Sequence, residues 1–201
     1  MRVDHVIYAT ANLDAAAARV ESELGLAVAA GGRHEGMGTH NRIVPLGGGY
    51  LELLAVADAA EAAHSPLGAA VLRRMESVVE GLLGYAVAVV DVAAVAARLG
   101  VAVSQITRSG FTGTLAGLAE ALAEPCLPFF VQRARGVPDP GANADAGGIA
   151  WLEVAGDADR LARWLDGAEL PIRVVPGGPA LQAVGIGERR EIRADGAMRL
   201  G

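Results

Sequence analysis

The 201-residue sequence contains no lysine; all 17 of its basic residues are arginine. That absence excludes Schiff-base catalysis, a pyridoxal-phosphate anchor and a Walker-type phosphate loop, each of which needs a lysine amine. The single cysteine, Cys126, can form neither an internal disulfide nor a Cys-rich zinc site. A reducing compartment suits it, and beside Pro125 it reads as a small buried hydrophobe. Aromatic residues are only 4% of the chain, so Trp151 and Trp164 are expected in the core or an interface rather than against a ligand. Positive charge is also scarce. With 23 acidic residues against 17 basic ones the net charge is −6, which argues against nucleic acid and against anionic membranes, since both need a basic surface. The opening Met1-Arg2-Val3-Asp4-His5 lacks a charged leader, an apolar stretch and a small-residue cleavage site, so a cytoplasmic location is expected. The most apolar stretch, Leu82 to Val103, contains Asp91 and Arg98. Each would cost roughly 2.5–3.5 kcal/mol inside a bilayer, and the stretch is expected to be a buried strand followed by a helix.

What is present belongs to a folded protein: 52% hydrophobic and 20% charged residues, in a length that suits one compact domain or two small fused modules. Asn12-Leu13-Asp14-Ala15-Ala16-Ala17-Ala18-Arg19-Val20 resembles Asp91-Val92-Ala93-Ala94-Val95-Ala96-Ala97-Arg98-Leu99. Each follows an apolar run (Val3 to Tyr8; Tyr85 to Val90), starts with a capping side chain and ends at a glycine, Gly25 or Gly100. The pattern is strand, N-cap, helix, C-cap. A third copy is expected from Ile149, with Asp157 as cap and Gly167 as stop, although alanine-rich capped helices also look alike by composition alone. Strands are expected at Arg42–Leu46 and Tyr50–Val56, joined by the turn Gly47-Gly48-Gly49. This turn precedes a strand, unlike a dinucleotide-binding loop. Asp58 to Glu80 reads as a linking helix, Thr114 to Glu124 as another, and Leu127 to Gln132 as a strand. Arg133 to Gly148 reads as a long loop, and Leu170 to Arg193 as short strands broken by Pro176-Gly177-Gly178-Pro179.

These residues carry a resemblance. Asp4-His5-Val6-Ile7-Tyr8, the capped alanine-rich helix, a glycine-rich bend, Thr39-His40-Asn41-Arg42 and Tyr50-Leu51-Glu52-Leu53 resemble a glyoxalase-like protein of the vicinal oxygen chelate superfamily. The likeness is clearest over residues 1–56 and weaker over 82–133, and it extends to Gly148-Ile149-Ala150-Trp151-Leu152-Glu153. It implies an α+β fold of paired βαβββ modules whose mixed sheet curls around a pocket, with an extra C-terminal βα portion. The boundaries expected are 1–58 for the first module, 59–81 for the linking helix, 82–133 for a degenerate second module and 134–201 for the loop and extension. The resemblance further implies a divalent metal held by the first and last strands of each module. In the first module these positions are His5 and Glu52. In the second they align with Gly84 and Phe130, neither of which binds a metal, with Gln132 two residues on.

The residues also have a chemistry independent of any resemblance. Glu52 in an apolar strand needs a partner, because an unpaired buried carboxylate costs several kcal/mol; His5 is the first candidate and Arg42 the next. Imidazole and carboxylate suit Zn²⁺, Fe²⁺, Mn²⁺ or Ni²⁺, with His40, Gln132 or Glu153 as possible third ligands. The alternative is a hydrogen-bonded contact that only satisfies buried groups. In Arg33-His34-Glu35-Gly36-Met37-Gly38-Thr39-His40-Asn41-Arg42 the glycines exclude the helical His-Glu-x-x-His zinc motif. The same run offers His40, Asn41 and Arg42 as donors to a substrate carboxylate or carbonyl, or forms an ordinary polar turn. His64, before Ser65-Pro66, reads as exposed. Two functions are therefore expected as alternatives. One is a metal-dependent lyase, isomerase or dioxygenase acting on a small oxygen-chelating substrate, with Glu153 as acid or base. The other is a metal-free protein that binds or sequesters a small molecule. A homodimer is the expected assembly.

Overall fold

A computed structural model describes residues 1–77 and 80–201. The chain runs β1 (Arg2–Thr10), α1 (Leu13–Leu24), β2 (Ala29–His34), β3 (Thr39–Pro45), β4 (Tyr50–Val56), α2 (Ala59–Ala62), α3 (Pro66–Ser77), β5 (Glu80–Ala88) and α4 (Val92–Leu99). It continues through β6 (Val103–Arg108), β7 (Phe111–Ala116), α5 (Leu118–Ala123), β8 (Phe129–Arg133), β9 (Ile149–Ala155), α6 (Ala158–Trp164), β10 (Ile172–Val175), β11 (Ala180–Ile186), β12 (Arg190–Arg193) and β13 (Met198–Leu200). The expected linking helix is two helices, and Glu80 already belongs to β5; Val78 and Val79 lie outside the described residues.

The repeated unit forms as its caps dictate. Asn12 accepts hydrogen bonds from the Asp14 and Ala15 amides and Asp91 from that of Ala94, while Gly25 and Gly100 end their helices with φ of 63° and 67°. That left-handed conformation is cheap only for glycine. Eight strands form one mixed sheet in the order β2-β3-β4-β1-β5-β8-β7-β6, the paired four-stranded modules of an α+β fold. The sheet curls until its ends meet, and the Glu35 amide, just past β2, donates to the Thr107 carbonyl of β6 at 3.1 Å. Thr114 to Ala116 completes β7, so the helix expected from Thr114 begins only at Leu118. The β-branched and aromatic residues of Phe111-Thr112-Gly113-Thr114 favour the strand.

The remaining strands form a second sheet, β10-β9-β11-β12-β13. Asp157 caps α6 as expected, but β9 pairs in parallel with β10, the next strand. In the first module β1 pairs in parallel with β4, the last strand. The C-terminal portion is thus a βαβ unit extended by a meander and does not repeat the module.

Two apolar regions result. Tyr8, Leu24, Tyr85, Phe130, Leu152, Trp164 and Ile186 fill the space between the outer face of the curled sheet, its helices and the second sheet. Ile7, Leu54, Phe111, Leu115, Phe129 and Val131 line the inside of the curl, where Leu67 and Val71 of α3 and Leu118 of α5 also insert. Each such large side chain contributes about 1.5–3 kcal/mol on burial. Trp164 is a core residue as expected, and its indole donates to the Pro128 carbonyl at 2.8 Å. Among the described residues no helix is long and apolar enough to cross a membrane.

Candidate active site

Strand alternation sends His5 and Ile7 of β1 into the curl, opposite Tyr50 and Glu52 of β4. A β-bulge breaks the β1–β5 register between Val3 and His5. Such an insertion re-aims a side chain, and here the Asp4 carboxylate comes to 2.9 Å from His5 Nδ1. Asp4 is completely buried and is held by Arg133 Nη2 at 2.5 Å and Arg2 at 3.5 Å. Both guanidinium groups also reach Asp139 of the 134–148 loop. Burial alone would raise the Asp4 pKa, but the His5 hydrogen bond and the charges of His5 and Arg133 hold it below the ordinary carboxylate value.

His5 is clamped between rings. It stacks on Tyr50 with centroids 4.6 Å apart and meets the edge of Phe129 at 5.5 Å. Because Asp4 engages Nδ1, Nε2 is the free nitrogen, and it faces Glu52 Oε2 at 3.7 Å. The other Glu52 oxygen accepts a hydrogen bond from the Asn41 amide and lies 3.5 Å from His34 Nε2. Asn41 Nδ2 is also 3.2 Å from His34 Nε2, and His34 Nδ1 is 2.9 Å from Thr39 Oγ1. An amide donating to Nε2 assigns the His34 proton to Nδ1, which donates to Thr39. Burial pushes the His34 pKa down, against the pull of the Glu52 carboxylate and with help from the Arg108 charge, so this imidazole is neutral at pH 7. His5, His34 and Glu52, with Tyr50, Arg108 and the inner apolar residues, enclose a cavity of about 20 Å³, room for roughly one water.

His5 and Glu52 face each other, the pairing the sequence offered, and Asn41 is bonded to Glu52. His40 and Arg42 stay outside this group, because alternation along β3 turns them outward. They border a surface groove of about 720 Å³, where Arg42 pairs with Asp14 at the start of α1. Glu153 stands in the second sheet, paired with Arg173 and Arg193, and is not among the cavity-lining residues. Gln132 hydrogen-bonds the Val92 amide at the start of α4. The strand register also corrects the second module: Phe130 points outward against Trp164, and Phe129 and Val131 face the cavity. The sequence reading missed three members of the site: Asp4, His34 and Arg108. The Asp4-His5 doublet was a usable signal for the first.

The glyoxalase-like domain family matches residues 3–169. The chain belongs to this family. It is a glyoxalase-like protein of the vicinal oxygen chelate superfamily, and two solved structures show how far its fold extends. A hypothetical protein from Staphylococcus aureus superposes with a TM-score of 0.73 at 17% identity, covering 98% of this chain and 96% of that one. Methylmalonyl-CoA epimerase from Mycobacterium tuberculosis superposes with a TM-score of 0.50 at 17% identity, covering 66% and 86%. The first therefore shares both sheets. No curated protein matches the sequence.

The metal implied for a glyoxalase-like protein can be tested against the donors present. His5 Nε2 and Glu52 Oε2 face each other and are suitable ligands. Where the second module would supply its own, the inner face presents Gly84, opposite Ile7, and Phe129. His34 Nε2 could serve as a third donor, but the Asn41 amide is bonded between it and Glu52. Among the described residues no group of three or more His, Cys, Asp and Glu side chains is arranged to hold a metal ion. The residues as folded do not fit one.

Proposed function

We propose that this glyoxalase-like protein is an isomerase-type enzyme that moves a proton on a small substrate with neighbouring oxygens, using His5 and Glu52. The observation that carries the reading is the buried Asp4–His5 pair at 2.9 Å, which leaves the Nε2 lone pair facing a second acid–base group. A histidine so oriented takes up a proton at Nε2, and the carboxylate at Nδ1 stabilises the imidazolium that forms. Glu52 Oε1 is fixed by Asn41, so Oε2 is the oxygen free to accept or return a proton on the other side of the cavity. The Asn41 N–H groups are spent on Glu52 and His34, so Asn41 positions the carboxylate. His40 and Arg42 would contribute at most to binding in the outer groove.

The test is solvent exchange. Incubation with a panel of 2-oxo acids and 2-hydroxy ketones in D₂O should give deuterium at a carbon-bound position, read by proton NMR. His5→Ala should slow it roughly 100-fold or more, the usual share of a general base. Exchange with no compound of the panel, or unchanged exchange in His5→Ala, would overturn the reading.

A second reading, a metal-free protein that binds or sequesters a small molecule, is favoured by the largely apolar lining of the cavity. It expects tight binding without turnover. A divalent metal, Zn, Fe, Mn or Ni, would take His5 and Glu52. It would gain His34 as a third ligand only if Asn41 released both partners.

A further inference from the structure

Arg108 and Phe111 are a register pair at the tip of the β6–β7 hairpin, joined by Ser109 and Gly110. Both line the inner cavity with His5 and Glu52, and both also line a separate outer groove of about 200 Å³ bounded by Ile43, Pro138 and Pro140. The pair is therefore the wall between the two spaces. The Arg108 guanidinium lies 5.0 Å from the Phe111 ring centroid and donates one long hydrogen bond, 3.4 Å, to the Ser109 carbonyl. Among the described residues no carboxylate pairs with it. The other arginines near the cavity are committed, since Arg2 and Arg133 bond Asp4 and Asp139. A guanidinium carries five N–H donors in a planar fork suited to a carboxylate, and most of those on Arg108 have no acceptor among the described residues. Its charge reaches the cavity, where it opposes protonation of His34.

We propose that Arg108 determines specificity by anchoring an anionic group of the substrate, so that the enzyme acts on a small carboxylate taken up from the groove beside Pro138 and Pro140. A carboxylate bonded by the fork replaces the ring as the partner of the cation. The carbonyl end of a short substrate then takes the place of the one water for which the cavity that Arg108 shares with His5 and Glu52 has room. This rests on the proton-transfer reading for the chemistry, but recognition by Arg108 stands or falls separately.

The probes are pyruvate and its neutral isostere pyruvamide, titrated into the full chain with chemical shifts as the readout. Exchange of the methyl hydrogens is followed on the same samples in D₂O. Pyruvate should bind the wild type saturably, about tenfold or more weaker in Arg108→Gln, as expected for lost hydrogen bonds to a charged group. Arg108→Lys should restore only part of the affinity, because it keeps the charge without the fork. Pyruvamide should bind both forms equally weakly, and His5→Ala should retain pyruvate binding. The inference is overturned by absence of saturable pyruvate binding, by equal affinity in wild type and Arg108→Gln, or by pyruvamide binding as tightly as pyruvate. Arg108-dependent binding without methyl exchange would refute proton transfer and uphold this inference; exchange equally fast in Arg108→Gln would do the reverse.

Discussion

Asn41 reaches across the β3–β4 pair to hold Glu52, its amide donating to the carboxylate and approaching His34 Nε2 at 3.2 Å. The two residues are diagonal neighbours, because Asn41 is registered with Leu54 and Glu52 with Ile43. One amide thus satisfies two buried groups that would otherwise face each other unbonded.

Removing that amide should be costly. Asn41→Ala leaves the Glu52 carboxylate buried without its donor, and a loss of about 1–3 kcal/mol is expected from urea unfolding. Asn41→Leu should still be less stable than wild type, since it restores volume but no hydrogen bond. A leucine variant as stable as wild type would show that the bond is not a net contributor.

Asp4 should prove the more sensitive position. Asp4→Asn removes the charge that Arg133 and Arg2 face, and breaking a buried pair costs about 3–5 kcal/mol. Arg133→Met combined with Asp4→Asn should recover part of it, because neither charge is then left unpaired. Additive losses in the double variant would contradict the coupling implied by the 2.5 Å contact.

Stability should fall in acid in two stages. His34 has a pKa below its ordinary 6.5, so the unfolded chain takes up that proton more readily. Its contribution is complete above pH 6.5 and is lost as the pH falls from there through the folded value. Asp4 also titrates below its ordinary 3.8, so its contribution is lost in a second, lower range as the carboxylate protonates. Unfolding free energies at pH 7, 5.5 and 4 should show the first stage in wild type and not in His34→Gln. An unchanged first stage in that variant would assign it to another group.

Elemental mass spectrometry on protein purified without chelators should find less than one transition metal per chain, because Gly84 and Phe129 stand where further ligands would be needed. One metal per chain, absent from folded His5→Ala and Glu52→Ala, would show that Asn41 does release its partners.

His5 and Glu52 were legible in the sequence because a polar residue inside an apolar strand demands a partner, and the caps of α1 and α4 because their side chains act locally. What eluded the sequence depends on strand parity and register. His40, Asn41 and Arg42 looked equivalent as a run, yet a period of two separates Asn41 from its neighbours. The same period exchanges Phe130 for Phe129. His34 ends β2, whose Ala29-Ala30-Gly31-Gly32 start shows no apolar alternation, so nothing marked it as inward. The bulge that brings Asp4 onto His5 arises from the β1–β5 pairing, a contact between residues some 80 positions apart.

The meeting of β2 with β6 that encloses the cavity has a further consequence for the behaviour of the chain in solution. A sheet rolled until its two outermost strands approach each other leaves both less accessible as templates for a strand from another molecule. Among the described residues the margins of the second sheet, β10 and β13, are four and three residues long.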